Sequence, residues 1–309
     1  MRIKKTLTVG VAMVSLFFGV QTIGFEPVRA AEKFSANNPP AISSADKLNT
    51  PTVAQRDGLK GRAGKAPAGS PTARLGGPYY FYAAGQQQPA VPPTDSISAA
   101  MNVGNPWVSA YDWHTLTEMA WQNTSGTNNV ELGVTRDLTT FGDTKPRIFA
   151  YSWINGVGQG YNTNFVNYSG RTYTVGDDLT ADVGTEQLFG ISQTATAYWL
   201  SYKNTWLGYY LKTNWSGYSP SQTPPNGGKL QFFGEVAAGS TTPCTDMGGA
   251  PAPLATSTVG TRIASVTYTG TPTPTTENLS MFTSNSAWYN AALIGSSTRS
   301  LRYGGPGSC

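Results

Sequence analysis

Between Gly76 and Cys309 the sequence holds five glutamates, Glu118, Glu131, Glu186, Glu235 and Glu277. Two of them fall inside apolar strand patterns, where glutamate is disfavoured. Leu230-Gln231-Phe232-Phe233-Gly234-Glu235-Val236 is bounded by Asn226-Gly227-Gly228 and Ala237-Ala238-Gly239, the punctuation expected around a strand. Period two sends Gln231, Phe233 and Glu235 to one face and Leu230, Phe232 and Val236 to the other. In Asn129-Val130-Glu131-Leu132-Gly133-Val134 the same period separates Glu131 from three aliphatic residues. Two carboxyls set this way suggest a catalytic pair. Brought close together in a partly apolar site they would not both ionise, so one keeps a proton while the other is a base. The base takes a proton from water, and the acid polarises a scissile carbonyl and later protonates the leaving amine. Such a pair titrates as a unit and works best below neutral pH. The bland alternative makes each glutamate a rim residue paired with an arginine such as Arg136 or Arg147.

Composition removes the usual competitors. The chain has one histidine, so zinc sites built on two or three histidines are excluded. A Ser-His-Asp triad would have to use His114, which lies in Tyr111-Asp112-Trp113-His114-Thr115 with no Gly-x-Ser-x-Gly elbow nearby, and which reads as a lone surface or core histidine. Asp177, Asp178 and Asp182 lack the loop spacing of a calcium site and read as an exposed turn. No phosphate-cradling loop leads into a helix. Neither metal nor organic cofactor is expected. The two cysteines, Cys244 and Cys309, favour a disulfide in an exported chain, since a catalytic thiol would again need His114.

These residues need an exported scaffold made of strands. Residues 1–30 run from Arg2, Lys4 and Lys5 through the apolar stretch Leu7 to Val20 to the small-residue exit Val28-Arg29-Ala30-Ala31, the pattern of a secretory signal peptide. Residues 31–75 are rich in Pro, Ala, Ser and basic residues and poor in aromatics, so they read as a propeptide or disordered linker that cannot bury enough apolar surface to fold. From Glu32 to Leu75 seven basic residues face three acidic ones. The remaining body is close to neutral, which argues against nucleic acid as a partner. No later apolar run is long enough to span a membrane, so the expected product is secreted and extracellular. A monomer is expected, though the sequence carries no signal of oligomeric state.

Residues 76–309 suffice for one domain with a substantial core. They are rich in Tyr, Trp, Thr, Val and Gly and lack helical periodicity, which predicts an all-β domain. Strand patterns recur at Pro78–Ala84, Ser96–Val103, Leu116–Gln122, Asn129–Thr135, Arg147–Ile154, Asn164–Tyr168, Gln187–Gln193, Ala197–Lys203, Thr205–Lys212, Lys229–Val236 and Thr261–Tyr268. Strands at that spacing predict an antiparallel, jelly-roll-like β-sandwich of two packed sheets. A hairpin is expected around Lys203-Asn204, and most of its aromatic residues are expected to build core.

The runs Val130-Glu131-Leu132-Gly133-Val134 and Arg147-Ile148-Phe149-Ala150-Tyr151-Ser152-Trp153 resemble the "IEAGW" and "RLFTYWT" segments of the neprosin family of glutamic peptidases. Further similarity follows in the same order: Tyr161-Asn162, Trp199-Leu200-Ser201-Tyr202, Gln231 to Val236 for "QWGGEV", Thr245-Asp246-Met247-Gly248-Gly249 for "TQMGSG", and the tail Tyr303-Gly304-Gly305-Pro306-Gly307-Ser308-Cys309. The resemblance implies a β-sandwich peptidase with Glu131 and Glu235 as catalytic residues, cutting peptides or proteins after proline at acidic pH without a cofactor. By further similarity to the fungal glutamic peptidases it implies Glu235 as base and Glu131 as acid or electrophile. Gln231, Tyr151 and Trp153 fall in matching motifs; they would orient the water, donate to the oxyanion or stack on a substrate proline, with plain packing as the alternative.

Two departures stand out. The plant pattern carries a cysteine pair around "TGCYN", where this chain has Gln159-Gly160-Tyr161-Asn162-Thr163-Asn164, so that loop must be held otherwise. The plant enzymes also carry a longer N-terminal activation domain, and the short segment here, with its style of signal peptide, suggests a bacterial secreted relative. The competing reading is a carbohydrate-active or carbohydrate-binding β-sandwich, since sugar grooves also use aromatic platforms and glycosidases also use paired carboxylates.

Overall fold

The computed structural model describes residues 39–52, 72–74, 77–88, 94–123, 125–216, 228–248, 256, 260–269, 279–295 and 299–309, all within the compact unit Lys33–Cys309. The expected signal peptide lies outside the described residues. In chain order the first strands are β1 (Lys47–Leu48), β2 (Thr72–Arg74), β3 (Gly77–Gln88), β4 (Ser96–Asn102), β5 (His114–Gln122) and β6 (Asn129–Asp137), followed by a one-turn helix α1 (Leu138–Phe141). Then come β7 (Arg147–Ile154), β8 (Val157–Gly158), β9 (Val166–Asn167), β10 (Glu186–Gln193), β11 (Ala197–Tyr202) and β12 (Thr205–Leu211). The last are β13 (Lys229–Ala238), β14 (Thr261–Thr269), β15 (Ser280–Thr283), β16 (Asn290–Leu293) and β17 (Leu301–Gly304).

Two antiparallel sheets form a sandwich. One has the order β1-β9-β12-β11-β10-β4-β14-β17-β16, the other β15-β3-β13-β5-β6-β7-β8, with β2 paired to β3 off that path. The main core takes Val130, Leu132 and Val134 from β6 and Leu230, Phe232 and Val236 from β13, the faces that alternation assigns to the interior. Ile191, Leu200 and Tyr210 meet them from the other sheet. Each such side chain fully buried stabilises the fold by about 1.5–3 kcal/mol. The β11–β12 hairpin turns at Lys203 and Asn204, whose φ values of 50° and 58° match the mirror-image turn that suits the twist of two-residue hairpins.

Cys244 and Cys309 form a disulfide, which closes the alternative of a free catalytic thiol. It fastens the C-terminal tail beside the segment after β13, where Ser308 also donates its backbone N–H to Pro243 O. With a sequence separation of 65, the chain-entropy relation gives about 4 kcal/mol. Replacing both cysteines by serine is expected to lower stability by roughly that amount in chemical denaturation, with the denaturant dependence of unfolding read alongside.

Composition predicts no order in residues 31–75, yet residues 43–49 form a clasp on the sheet edge. Lys47 and Leu48 pair with Asn167 and Val166 of β9. The Asn49 amide donates to Asn162 O at 3.0 Å and accepts from Asn167 at 3.0 Å. Asp46 accepts from the Ser169 N–H at 2.9 Å and from the Tyr209 hydroxyl at 3.3 Å. The stretch orders by saturating backbone and amide groups of an exposed edge, a route that a count of apolar residues does not register. Leu48 itself stays exposed. Burial pushes the Asp46 carboxyl up, but hydrogen bonds from Ser43, Ser169 and Tyr209 outweigh it and hold the group below its ordinary 3.8. A depressed folded value contributes stability above the unfolded value that is lost as pH falls through the folded one. The clasp is therefore expected to hold at neutral pH and loosen below about pH 4, read as faster hydrogen exchange at the Asn49 amide, which donates to Phe165 O at 2.7 Å.

Candidate active site

Register decides which polar groups share a face. Glu235 stands opposite Leu116 of β5 and Ala83 of β3. Glu131 stands opposite Ala120 of β5 and Tyr151 of β7. Gln231, opposite Ala120 from the other side, completes the Glu131 row. All of these side chains occupy the face of the smaller sheet turned away from the main core, and Glu131, Glu235 and Gln231 have no solvent exposure. The rim reading fails here. Arg147 pairs with Asp143 at 2.7 Å and Arg136 donates to Thr144 O, so neither arginine serves a glutamate.

The two glutamates share a face. They are two strands apart and four residues apart along β5, which separates their backbones by roughly 16 Å. The Glu235 hydrogen bond goes to His114. Between their rows lies Glu118 of β5, opposite Phe233 and Gly133 and diagonal to both, at the ~7–8 Å spacing of diagonal neighbours. Glu118 is also fully buried. In sequence Glu118 lies among His114, Leu116, Ala120 and Gln122 on one side of the strand and Thr115, Thr117, Met119 and Trp121 on the other, so neither side stands out as apolar.

Each end of the face has its own polar network. At the Glu131 end, Asn129 donates its amide to Glu131 Oε1 at 2.8 Å. Gln231 accepts from Gln122 at 2.5 Å and donates to Gln87 at 3.1 Å, so its amide is held within a ladder across β5, β13 and β3. Tyr151 and Trp153 are buried side by side on this face, ring centroids 5.8 Å apart. At the other end His114, expected as a lone residue, is buried with Nε2 3.2 Å from Glu235 Oε1. Its Nδ1 lies 3.3 Å from the Tyr161 hydroxyl and 3.8 Å from Asp137 Oδ2. Asp137 is fixed in turn as N-cap of α1, accepting from Thr140 N and Thr140 Oγ1 at 2.7 Å. Glu235 Oε2 is buried with no hydrogen-bond partner among the described residues.

Tyr161 sits in the loop that lacks the plant cysteines, and the structure shows what holds that loop. Asn162, at φ 59°, donates its backbone N–H to Ala150 O at 2.8 Å and takes the Ala150 N–H on its side-chain oxygen at 2.9 Å. Asparagine tolerates this left-handed conformation better than most residues. The Tyr161 ring then packs edge-on against Phe149 and Tyr151, with centroids 5.6 and 5.5 Å away. Burial, with the Asp137 charge second, pushes its phenol well above 10, so it remains protonated and able to donate.

A family model described as Neprosin matches residues 112–306, which takes in every group described above on β5, β6, β7 and β13. The chain belongs to the neprosin family. Among solved structures, scytalido-glutamic peptidase with a peptide-based transition-state analog aligns with this neprosin chain at 10% identity and a TM-score of 0.40, over 74% of this chain and 99% of that one. SCP-B, a member of the eqolisin family of peptidases in complex with the tripeptide Ala-Ile-His, aligns at 9% identity and a TM-score of 0.39, over 74% and 99%. A Bacillus licheniformis β-glucanase aligns at 12% identity and a TM-score of 0.34, over 63% and 85%. The comparison with curated proteins gave no match.

In this neprosin chain Asp178 pairs with Lys145, and Asp182 with Lys203, as befits the surface reading of that acidic stretch. Among the described residues no cluster of His, Cys, Asp and Glu could hold a metal ion. One glycine makes the face possible. A Cβ at Gly133 would lie 2.0 Å from Thr117 O and 2.8 Å from Glu118 Cα, both backbone atoms that cannot step aside. Gly133→Ala is therefore expected to destabilise the protein by about 3 kcal/mol or more, measured as a lower thermal midpoint, while Gly142→Ala tests the milder case of an open αL cap.

Proposed function

We propose that this member of the neprosin family is a secreted glutamic endopeptidase that cleaves after proline at acidic pH, with Glu235 as base and Glu131 as acid. Membership of the neprosin family supports the glutamic-type peptidase. The observation that carries the assignment of roles is the asymmetry of Glu235: one oxygen is held by His114 while the other is buried and unbonded among the described residues. The N-terminal residue pattern, the disulfide, and the lack among the described residues of any helix long and apolar enough to cross a membrane all fit export.

Separate hydrogen-bond partners, Asn129 for Glu131 and His114 for Glu235, suit a division of labour between the two glutamates. A water at Glu235 Oε2 loses a proton to that oxygen and attacks the carbonyl carbon. Glu131, held by Asn129, donates to the carbonyl oxygen as charge develops there. The proton taken by Glu235 passes to the leaving amine as the C–N bond breaks, and Glu131 recovers its own as the carbonyl reforms. Tyr151, directly across from Glu131, and Trp153 beside it offer flat rings for a prolyl ring. Because the carboxyls are buried, the residues over this face must part for a substrate to enter.

The test is digestion of a proline-rich protein across acidic to neutral pH, with cleavage sites read by mass spectrometry. Glu131→Gln and Glu235→Gln, each folded by thermal unfolding, are expected to lose at least about 100-fold in kcat. Undiminished cutting by either variant would remove that residue from the mechanism. Fragments ending at residues other than proline would remove the specificity alone.

A further inference from the structure

We infer that His114 is a positioning residue for Glu235: it pins Oε1 so that Oε2 is the oxygen offered to water. This rests on the reading of Glu235 as the base, and goes beyond it by assigning a function to the only histidine in the chain.

The geometry is that of a braced side chain. His114 and Glu235 are both without solvent exposure, and they approach at 3.2 Å through Nε2 and Oε1. A glutamate on the face of a strand has several rotatable bonds, and burial alone leaves open which of its two oxygens points where. A hydrogen bond to one oxygen removes that freedom. The ring is itself held from the far side. The titratable groups that face it are Glu235 from β13, Asp137 from β6, and Tyr161 from the loop after β8. Tyr161 also meets Thr135 Oγ1 at 3.3 Å, and its ring packs edge-on to the imidazole at 6.3 Å.

With Nε2 protonated and Nδ1 bare, the ring donates to Glu235 and accepts from the Tyr161 hydroxyl, so each nitrogen has a partner. A packing residue would need neither the acidic partner on each side nor a hydrogen bond at each nitrogen.

The experiment compares His114→Leu and His114→Gln in the full chain, using a proline-containing peptide substrate, with Glu235→Gln beside them. Leucine fills space without a donor, whereas glutamine can place an amide N–H near the position of Nε2 but cannot take up a proton. His114→Leu is expected to lose about 100-fold in kcat with little change in KM, and His114→Gln to recover to within about tenfold of wild type. A folded His114→Leu with the wild-type kcat overturns the inference. Equal losses in both variants, tracking their loss of thermal stability, also overturn it and leave His114 as packing. If His114→Leu does not fold, His114→Asn, whose amide is one methylene shorter, takes its place against His114→Gln, and equal kcat in the two overturns the inference. Activity retained by Glu235→Gln would remove the base itself, an outcome separate from failure of the histidine variants alone.

Discussion

β13 is hydrogen-bonded along both edges, to β3 and to β5, and its side chains alternate between an apolar interior and a polar outer face. A slip of one residue would send Glu235 into the core and Phe232 out of it, so burial of Leu230, Phe232 and Val236 locks the register. That lock decides everything on the opposite face. It places Gln231 in line with Glu131, Glu235 diagonal to His114, and Phe233 beside Glu118. The polar face is thus positioned by apolar groups that never touch it.

The electrostatic problem on that face is severe, because burying a lone carboxylate costs far more than burying an amide or hydroxyl. The fold answers it with short-range polar contacts. Asn129 serves Glu131, His114 serves Glu235, and the amides of Gln122, Gln231 and Gln87 satisfy one another. Aromatic rings from Phe149, Tyr151 and Tyr161 close the space between these contacts and keep the local dielectric low. In such surroundings each hydrogen bond counts for more than it would in water, and each unmet group costs more.

Much of this was legible in the sequence wherever the signal was local. Alternation in β6 and β13 assigned the correct faces to both glutamates, and Arg147–Ile154 matches β7 residue for residue. The hairpin at Lys203-Asn204 and the disulfide followed from turn chemistry and cysteine count. What escaped depends on non-local register. Nothing near His114 in the chain indicates Glu235, 121 positions away, as its partner. The same register puts two strands and four residues between the backbones of the two glutamates. Glu118 sits on the outer face like Glu131, but Thr115 and Thr117 stand where apolar residues would mark the strand's core-facing side, which disguises the alternation. The short strands β1, β8 and β16 have too few residues for any period to show, and β1 owes its order to a partner edge rather than to its own composition.

The clasp of residues 43–49 on β9 has a consequence for the life of the molecule after synthesis. Residues 43–49 are held by backbone pairs and polar side chains, and Leu48 stays exposed, so the clasp's own affinity for the edge is low. While the peptide chain joins it to β2 and β3, each detachment is followed by rebinding at the high effective concentration that a tether provides. A single cut in the intervening chain would turn the clasp into a separate ligand, and its occupancy would then follow ordinary mass action. Dilution into the surroundings alone would strip it away, exposing the edge of β9 and freeing the Asn162 carbonyl beside Tyr161.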